Sequence, residues 1–254
     1  MRFDSLKING VQYSKQQLAV LVKSKGVADY ERSLYAFIRE WISASQTISL
    51  NTSGSTGKPK TIKVKKEQMI ASAQMTSKYF KLNSKSNLLL CLSTDYIAGK
   101  MMVVRAFVSG ANLVTANPDG NPLKELKAKA DFAAMVPLQV QNALSVSTAK
   151  KKFQSIKNVI IGGAAIPHQL EKQIAKCSNN VYSTFAMTET LSHIALRRLS
   201  GKKKSDMYEL LPGIKIKKDK RGCMIVSAPK LDAKPIITND IVEIKGARHF
   251  KWLG

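Results

Sequence analysis

The chain is poor in acid and in every residue type that usually builds a metal or redox centre. Its 254 residues carry 17 Asp+Glu against 41 Lys+Arg, a formal net charge of +24, with three histidines and three cysteines. Cys91, Cys177 and Cys223 are odd in number, far apart and without a CxxC pair, which argues against a disulfide framework and a thiolate zinc site. His168, His193 and His249 are too scattered to supply a metal cluster in their place. No apolar run reaches the roughly 18–20 residues that span a bilayer, and the best, residues 101–108, is short and holds Arg105. The opening MRFDSLKING lacks the apolar stretch of a signal peptide, so a cytoplasmic location without membrane insertion is expected. What is present, 44% hydrophobic and 23% charged residues, describes a folded chain long enough for one large domain or two small ones, not a disordered tail or a fibre.

The basic excess is spread in short clusters at Lys63, Lys65 and Lys66, at residues 150–152, at 202–204 and along 215–220. A solvated lysine-rich surface is the ordinary explanation. Steering of small multi-anionic substrates comes second, and a basic nucleic-acid module third, because no single arm or recognition helix gathers the charge.

Residues 14–45 read as two amphipathic helices, with Leu18, Leu21 and Val22 and then Leu34, Phe37, Ile38, Trp41 and Ile42 at helical spacing. From Thr47 short apolar runs, at 48–50, 88–92, 113–115, 132–136, 159–161 and 181–185, alternate with helical stretches at 67–80, 99–108, 123–130, 138–144 and 168–177. That alternation predicts an α/β fold with layered, largely parallel sheets and helices. After Leu211 the helices stop, and short runs at 214–216, 223–226, 236–238, 241–244 and 250–253 predict a small antiparallel β subdomain. The expected organisation is an α/β core over residues 1–210 and a β subdomain over 211–254, with residues 200–206 as a flexible stretch.

The run Thr52-Ser53-Gly54-Ser55-Thr56-Gly57-Lys58-Pro59-Lys60 follows an apolar strand and combines hydroxyls, glycines and lysines, the composition of a phosphate-gripping loop. Two residues separate Gly54 from Gly57, and Pro59 follows Lys58, so it is not a Walker A loop. Residues 61–65 alternate with a strand period, so the loop is expected to join two strands and to hold phosphate by amides, hydroxyls and lysine. An ordinary hairpin turn is the competing explanation.

The same run resembles the phosphate loop of the adenylate-forming enzymes, which include acyl-CoA synthetases, luciferases and peptide adenylation domains. Further motifs follow in that superfamily's order. Ile161-Gly162-Gly163-Ala164-Ala165-Ile166-Pro167 is similar to its GGAxxP turn, and Phe185-Ala186-Met187-Thr188-Glu189-Thr190 to its aromatic-Gly-x-Thr-Glu motif. Thr238-Asn239-Asp240 resembles its T-G-D motif, and residues 250–254 the strand before its interdomain hinge. Tyr96 to Gly99 followed by Arg105, together with residues 187–193, look most like the branch that joins o-succinylbenzoate to CoA in menaquinone synthesis.

The resemblance implies two half-reactions, in which a carboxylate attacks the α-phosphate of ATP and the thiol of CoA then displaces AMP. It implies that Thr52, Ser53, Gly54, Ser55, Thr56, Gly57 and Lys58 hold the departing pyrophosphate, that Thr188 serves the α-phosphate and that Glu189 holds Mg²⁺. Asp240 would accept from the ribose hydroxyls, Gly163, Ala164 and Ala165 would wall the adenine, and Phe185, followed by Ala186 and Met187, would stack on it. Core packing explains Phe185 equally well. For the acid, Arg105 stands inside an apolar helical run, where it either meets an anion or snorkels to solvent. Ser192 and His193 either line the same pocket or serve the structure, and Tyr96 either shapes an aryl pocket or is ordinary. Another aryl or acyl carboxylate remains the alternative substrate.

The chain departs from the family's motifs at Ala186 and Asn239, where glycine is usual. Relatives continue beyond the segment 252–254 with a hinge and a small C-terminal domain. The expectation is therefore a large N-terminal domain that binds ATP and acyl-adenylate and is nearly inactive alone.

Overall fold

The computed structural model describes residues 4–21, 28–52, 60–124 and 126–254. In chain order the elements are β1 (Ser5–Ile8), β2 (Val11–Ser14), α1 (Lys15–Val20), α2 (Asp29–Ile42), β3 (Thr47–Thr52), β4 (Lys60–Lys65), α3 (Lys66–Phe80), β5 (Asn87–Leu90), α4 (Ile97–Ser109), β6 (Asn112–Thr115), β7 (Phe132–Met135) and α5 (Pro137–Ser145). They continue with α6 (Ser147–Ser155), β8 (Asn158–Ile161), α7 (His168–Ile174), β9 (Asn180–Ala186), β10 (His193–Arg198), β11 (Tyr208–Leu210), β12 (Lys215–Lys218), β13 (Cys223–Ser227), β14 (Ile236–Lys245) and β15 (His249–Trp252).

Among the described residues thirteen strands form one sheet, in the order β12-β13-β14-β15-β11-β10-β9-β8-β7-β5-β6-β1-β2, while β3 and β4 pair with each other alone. The stretch from β1 through β6, β5, β7 and β8 to β9 is parallel, and from β9 to β12 every pairing is antiparallel. The expected α/β architecture is therefore present. The last four strands add to the edge of the same sheet through the β11–β15 pairing.

Both faces of the parallel part are covered, which is why its strands are nearly continuous apolar runs. Leu88 and Leu90 of β5 point into a core shared with α2, α3 and α4, while Leu89 points into a second core with α5, α6 and α7. Helix α4 is buried almost all round, from Gly99 to Phe107, and ends at Gly110 in the left-handed region (φ 70°). Its first turn lies so close to the preceding loop that a Cβ on Gly99 would collide with the Ser93 backbone carbonyl.

Several segments differ from expectation: α6, β10 and β11 were not among the expected elements, and three further differences have a clear physical reason. Residues 123–130 were expected to be helical, but the described ones form turns and irregular chain. Leu123 and Ala130 reach the core at near-helical spacing without a helix, and the Lys124 carbonyl is taken by Lys152 Nζ at 2.7 Å. So short a segment gains too little from helix nucleation to resist those tertiary contacts. The β1–β2 hairpin went unread, although Asn9 (φ 49°) and Gly10 (φ 86°) form the Asn-Gly turn with two positive φ values that favours tight hairpins. The runs at 236–238 and 241–244 fuse into the single strand β14.

Candidate functional site

A cavity of about 590 Å³ opens at the carboxyl ends of the parallel strands. Leu92 beyond β5, Met135 and Val136 at the end of β7, Gly162 to Ala164 beyond β8, and Thr184 and Ala186 of β9 form its floor. Chain connections place it there. From β5 the chain crosses over α4 to β6 on one side, whereas β7, the other neighbour of β5, leads through α5 and α6 on the opposite face to β8. Where crossovers diverge in this way, loops part and leave a crevice outside the strand ends. Gly163 holds its turn at φ 85°. Leu50 of β3 and Ile62 of β4 cover the cavity from the separate hairpin, and α4 contributes Ile97, Met101 and Arg105. Tyr96, at the N-terminus of α4, stands at the cavity with 61% of its surface exposed.

Arg105 is the charged residue of the lining and is itself 2% exposed. Its Nη2 donates to Ser192 Oγ at 3.0 Å and its Nη1 to Met102 Sδ at 3.5 Å, while Nε has no hydrogen-bond partner among the described residues. The guanidinium carbon lies 6.0 Å from the Phe132 ring centroid. Among the described residues no carboxylate pairs with it. Burial pushes its pKa from 12.5 down to about 9, a measure of how poorly water is replaced around the cation. A buried cation that faces a cavity, with no counter-charge among the described residues, has the chemistry to receive an anion.

His193, beside Ser192 at the start of β10, is also buried, and desolvation followed by the nearby Arg105 charge holds its pKa well below the usual value. Its Nδ1 lies 3.3 Å from Ser192 Oγ and its Nε2 3.4 Å from Thr76 Oγ1 of α3. The strand pairing sets His193 opposite Ala186.

The cavity thus gathers Tyr96, Arg105, Ser192, His193, Gly163, Ala164, Ala186 and Met187. Phe185 does not line it. Alternation along β9 turns Phe185 away from Thr184 and Ala186, and its ring packs edge-on against Tyr208 and Phe250 at 5.7 and 5.2 Å. The stacking face expected from Phe185 is thereby replaced by core packing, since a residue on a strand faces one side only. Ala165 and Glu189 are exposed outside the lining, Glu189 in the 3-10 turn Thr188–Thr190. Asp240, on β14, also lies outside it and accepts from Trp252 Nε1 at 3.0 Å. Ser53, Gly54, Ser55, Thr56, Gly57 and Lys58 fall outside the described residues, as do the side chains of Thr52 and Thr188. The strands expected on either side of the loop are present as β3 and β4, paired from Thr47↔Lys65 to Thr52↔Lys60. Sequence reasoning missed Leu50, Ile62 and Thr184 as walls, although the two-residue period of their strands was available as a signal.

A mostly apolar cavity at a switch point of a parallel sheet, with one buried cation and a glycine turn, is the site of a small-molecule-binding α/β protein. The family model described as AMP-binding enzyme matches residues 16–222, and the chain belongs to that family. It is 29% identical to the 2-succinylbenzoate–CoA ligase of Escherichia coli K12 over 166 residues, which are 65% of this chain and 35% of that protein. The chain therefore matches about a third of that curated relative's length. A crystal structure of an acyl-CoA synthetase (AMP-forming)/AMP-acid ligase II-like protein from Dyadobacter fermentans superimposes with a TM-score of 0.87 at 38% identity, over 95% of this chain and 69% of that one. The O-succinylbenzoate Coenzyme A Synthetase of Bacillus subtilis, in complex with ATP and magnesium ion, shares the fold at TM-score 0.64 and 16% identity, over 81% of this chain and 49% of that one.

Proposed function

We propose that this chain forms the nucleotide- and acid-binding part of an acyl-CoA synthetase that activates o-succinylbenzoate. In that reaction a carboxylate oxygen of the acid bonds to the α-phosphorus of ATP, the bond to the β-phosphate oxygen breaks, and pyrophosphate leaves. The CoA thiol then takes the acyl group and AMP departs. The observation that carries the choice of acid is Arg105, a buried cation that opens on the cavity and has no carboxylate partner among the described residues. An acid with a second carboxylate leaves one anion for Arg105 while the other reacts. The apolar walls, Leu50, Ile62, Met101 and Val136, suit the aryl ring between them.

The loop from Ser53 to Lys58 is assigned to the β and γ phosphates, Thr188 to the α-phosphate, and Asp240 to the ribose. Among the described residues no three His, Cys, Asp or Glu side chains cluster as a metal cage. Glu189, whose carboxylate is exposed, would be the residue that holds Mg²⁺. When bound, that ion would spread the charge of the phosphate oxygens.

Calorimetric titration of the wild type and Arg105→Met with a nonhydrolysable o-succinylbenzoyl-adenylate mimic, its benzoyl equivalent and AMP tests the reading. Tighter binding of the succinylbenzoyl mimic than the benzoyl one, lost in Arg105→Met, is expected. Equal affinity for both mimics in the wild type would reopen the choice of acid.

A further inference from the structure

We infer that Thr76 of α3, which does not line the cavity, is a positioning residue whose hydroxyl fixes the tautomer of His193 and thereby the direction in which Ser192 holds the Arg105 guanidinium. The inference deepens the acid-pocket reading and rests on it for its effect on binding.

The argument follows the protons. Thr76 Oγ1 lies 3.2 Å from the Ser72 carbonyl one turn back, an acceptor only, so its hydroxyl proton points there. Toward His193 Nε2, at 3.4 Å, the hydroxyl then offers a lone pair, which calls for a proton on Nε2. A neutral imidazole protonated at Nε2 is an acceptor at Nδ1. Ser192 Oγ, 3.3 Å from Nδ1, donates its one proton into that acceptor. Its lone pairs are left for Arg105 Nη2 at 3.0 Å. Every donor from Arg105 to the Ser72 carbonyl points the same way, and the chain ends on a fixed backbone group.

Burial makes this order stringent. Thr76, His193 and Arg105 are 0%, 4% and 2% exposed, so at the Thr76–His193 contact water does not substitute for a missing partner, while Ser192, partly buried, stands at the cavity wall. The depressed basicity of His193 agrees with a neutral ring beside a cation. With the opposite tautomer Nδ1 would carry the proton, the Ser192 hydroxyl would turn its own proton away from the ring, and that proton would compete with Arg105 Nη2 for the same side of the oxygen. The guanidinium edge carrying Nε, which lacks a partner among the described residues, would lose its fixed aim.

Thr76→Val keeps the branched shape and removes the hydroxyl, whereas Thr76→Ser keeps the hydroxyl and removes a methyl. In ¹⁵N spectra of the full chain, wild-type His193 should be neutral and protonated at Nε2. An Nδ1-protonated or doubly protonated ring would overturn the inference whatever the ligand proves to be. By calorimetry, Thr76→Val should weaken the o-succinylbenzoyl-adenylate mimic about tenfold, the loss of roughly one net buried hydrogen bond. The benzoyl mimic should be unaffected, and Thr76→Ser should bind both as the wild type does. Equal weakening of both mimics, or no weakening of either, would overturn the positioning role. If the wild type itself does not discriminate the mimics, the acid reading fails, and the tautomer assignment still stands or falls on the spectrum.

Discussion

Arg105 should make the unliganded protein less stable than an uncharged residue would. Holding the guanidinium charged where its pKa falls from 12.5 to about 9 costs on the order of 5 kcal/mol relative to the unfolded chain. The hydrogen bond to Ser192 returns ~2 kcal/mol, and the distant contact with the Phe132 ring ~0.5 kcal/mol. A methionine at this position, among Met101, Met102 and Phe132, fills most of the volume without a charge. Allowing ~1 kcal/mol for imperfect packing, Arg105→Met should gain about 1–2 kcal/mol, or a Tm rise of roughly 2–8 °C for a chain of this size. Urea unfolding of the ligand-free wild type and variant, with the same slope in both, is the assay. The gain should coincide with loss of binding to an acid bearing a second carboxylate. A variant clearly less stable than wild type would refute the reasoning, because it would mean that the fold already compensates the cation.

Arg197 of β10 grips Glu171 of α7 with two parallel hydrogen bonds of 2.9 Å. Those bonds hold the Glu171 carboxyl below its ordinary value, so their stabilisation is complete above pH ~4.5 and lost as pH falls through the lowered folded-state value. Glu171→Gln should cost about 1.5–3 kcal/mol near neutrality and flatten that acid limb, read by denaturation at several pH values. Gly99→Ala should destabilise by roughly 2–4 kcal/mol and weaken acid binding, because the new Cβ drives α4 away from Ser93; wild-type stability would contradict the close approach. All three cysteines are buried, and desolvation pushes Cys91 up to about 12. A thiol reagent should therefore find no rapidly reacting group in the native chain and all three after unfolding. Glu189→Gln should lower ATP affinity in the presence of Mg²⁺ while leaving AMP affinity unchanged, measured by titration, and equal losses for both nucleotides would remove the metal assignment.

The order of strands and helices was legible because burial on both faces writes continuous apolar runs into β5, β7 and β8. The position of Arg105 was legible as an interruption in such a run, but its fate was not. Snorkelling and burial differ only in what surrounds α4, and α2, α3 and the sheet enclose it. Phe185 shows the opposite limit. Its motif resembled a stacking face, yet which side of β9 it takes depends on the register against β8 and β10, a long-range property. Thr76 carried no signal at all, since a threonine in a helix acquires meaning only through a histidine 117 positions away.

The two walls of the cavity are held by unlike forces. The strands of its floor are tied to their neighbours by ladder hydrogen bonds, which are directional and break when displaced. Among the described residues the β3–β4 hairpin above it shares no such ladder with the large sheet, and its Ile48, Leu50 and Val64 are buried in the apolar core that also holds α3 and α4. Contacts of that kind tolerate small tilts and slides with little change in free energy. The height of the cavity is therefore set by its softer wall, and a small movement of the hairpin would change it without breaking a ladder hydrogen bond.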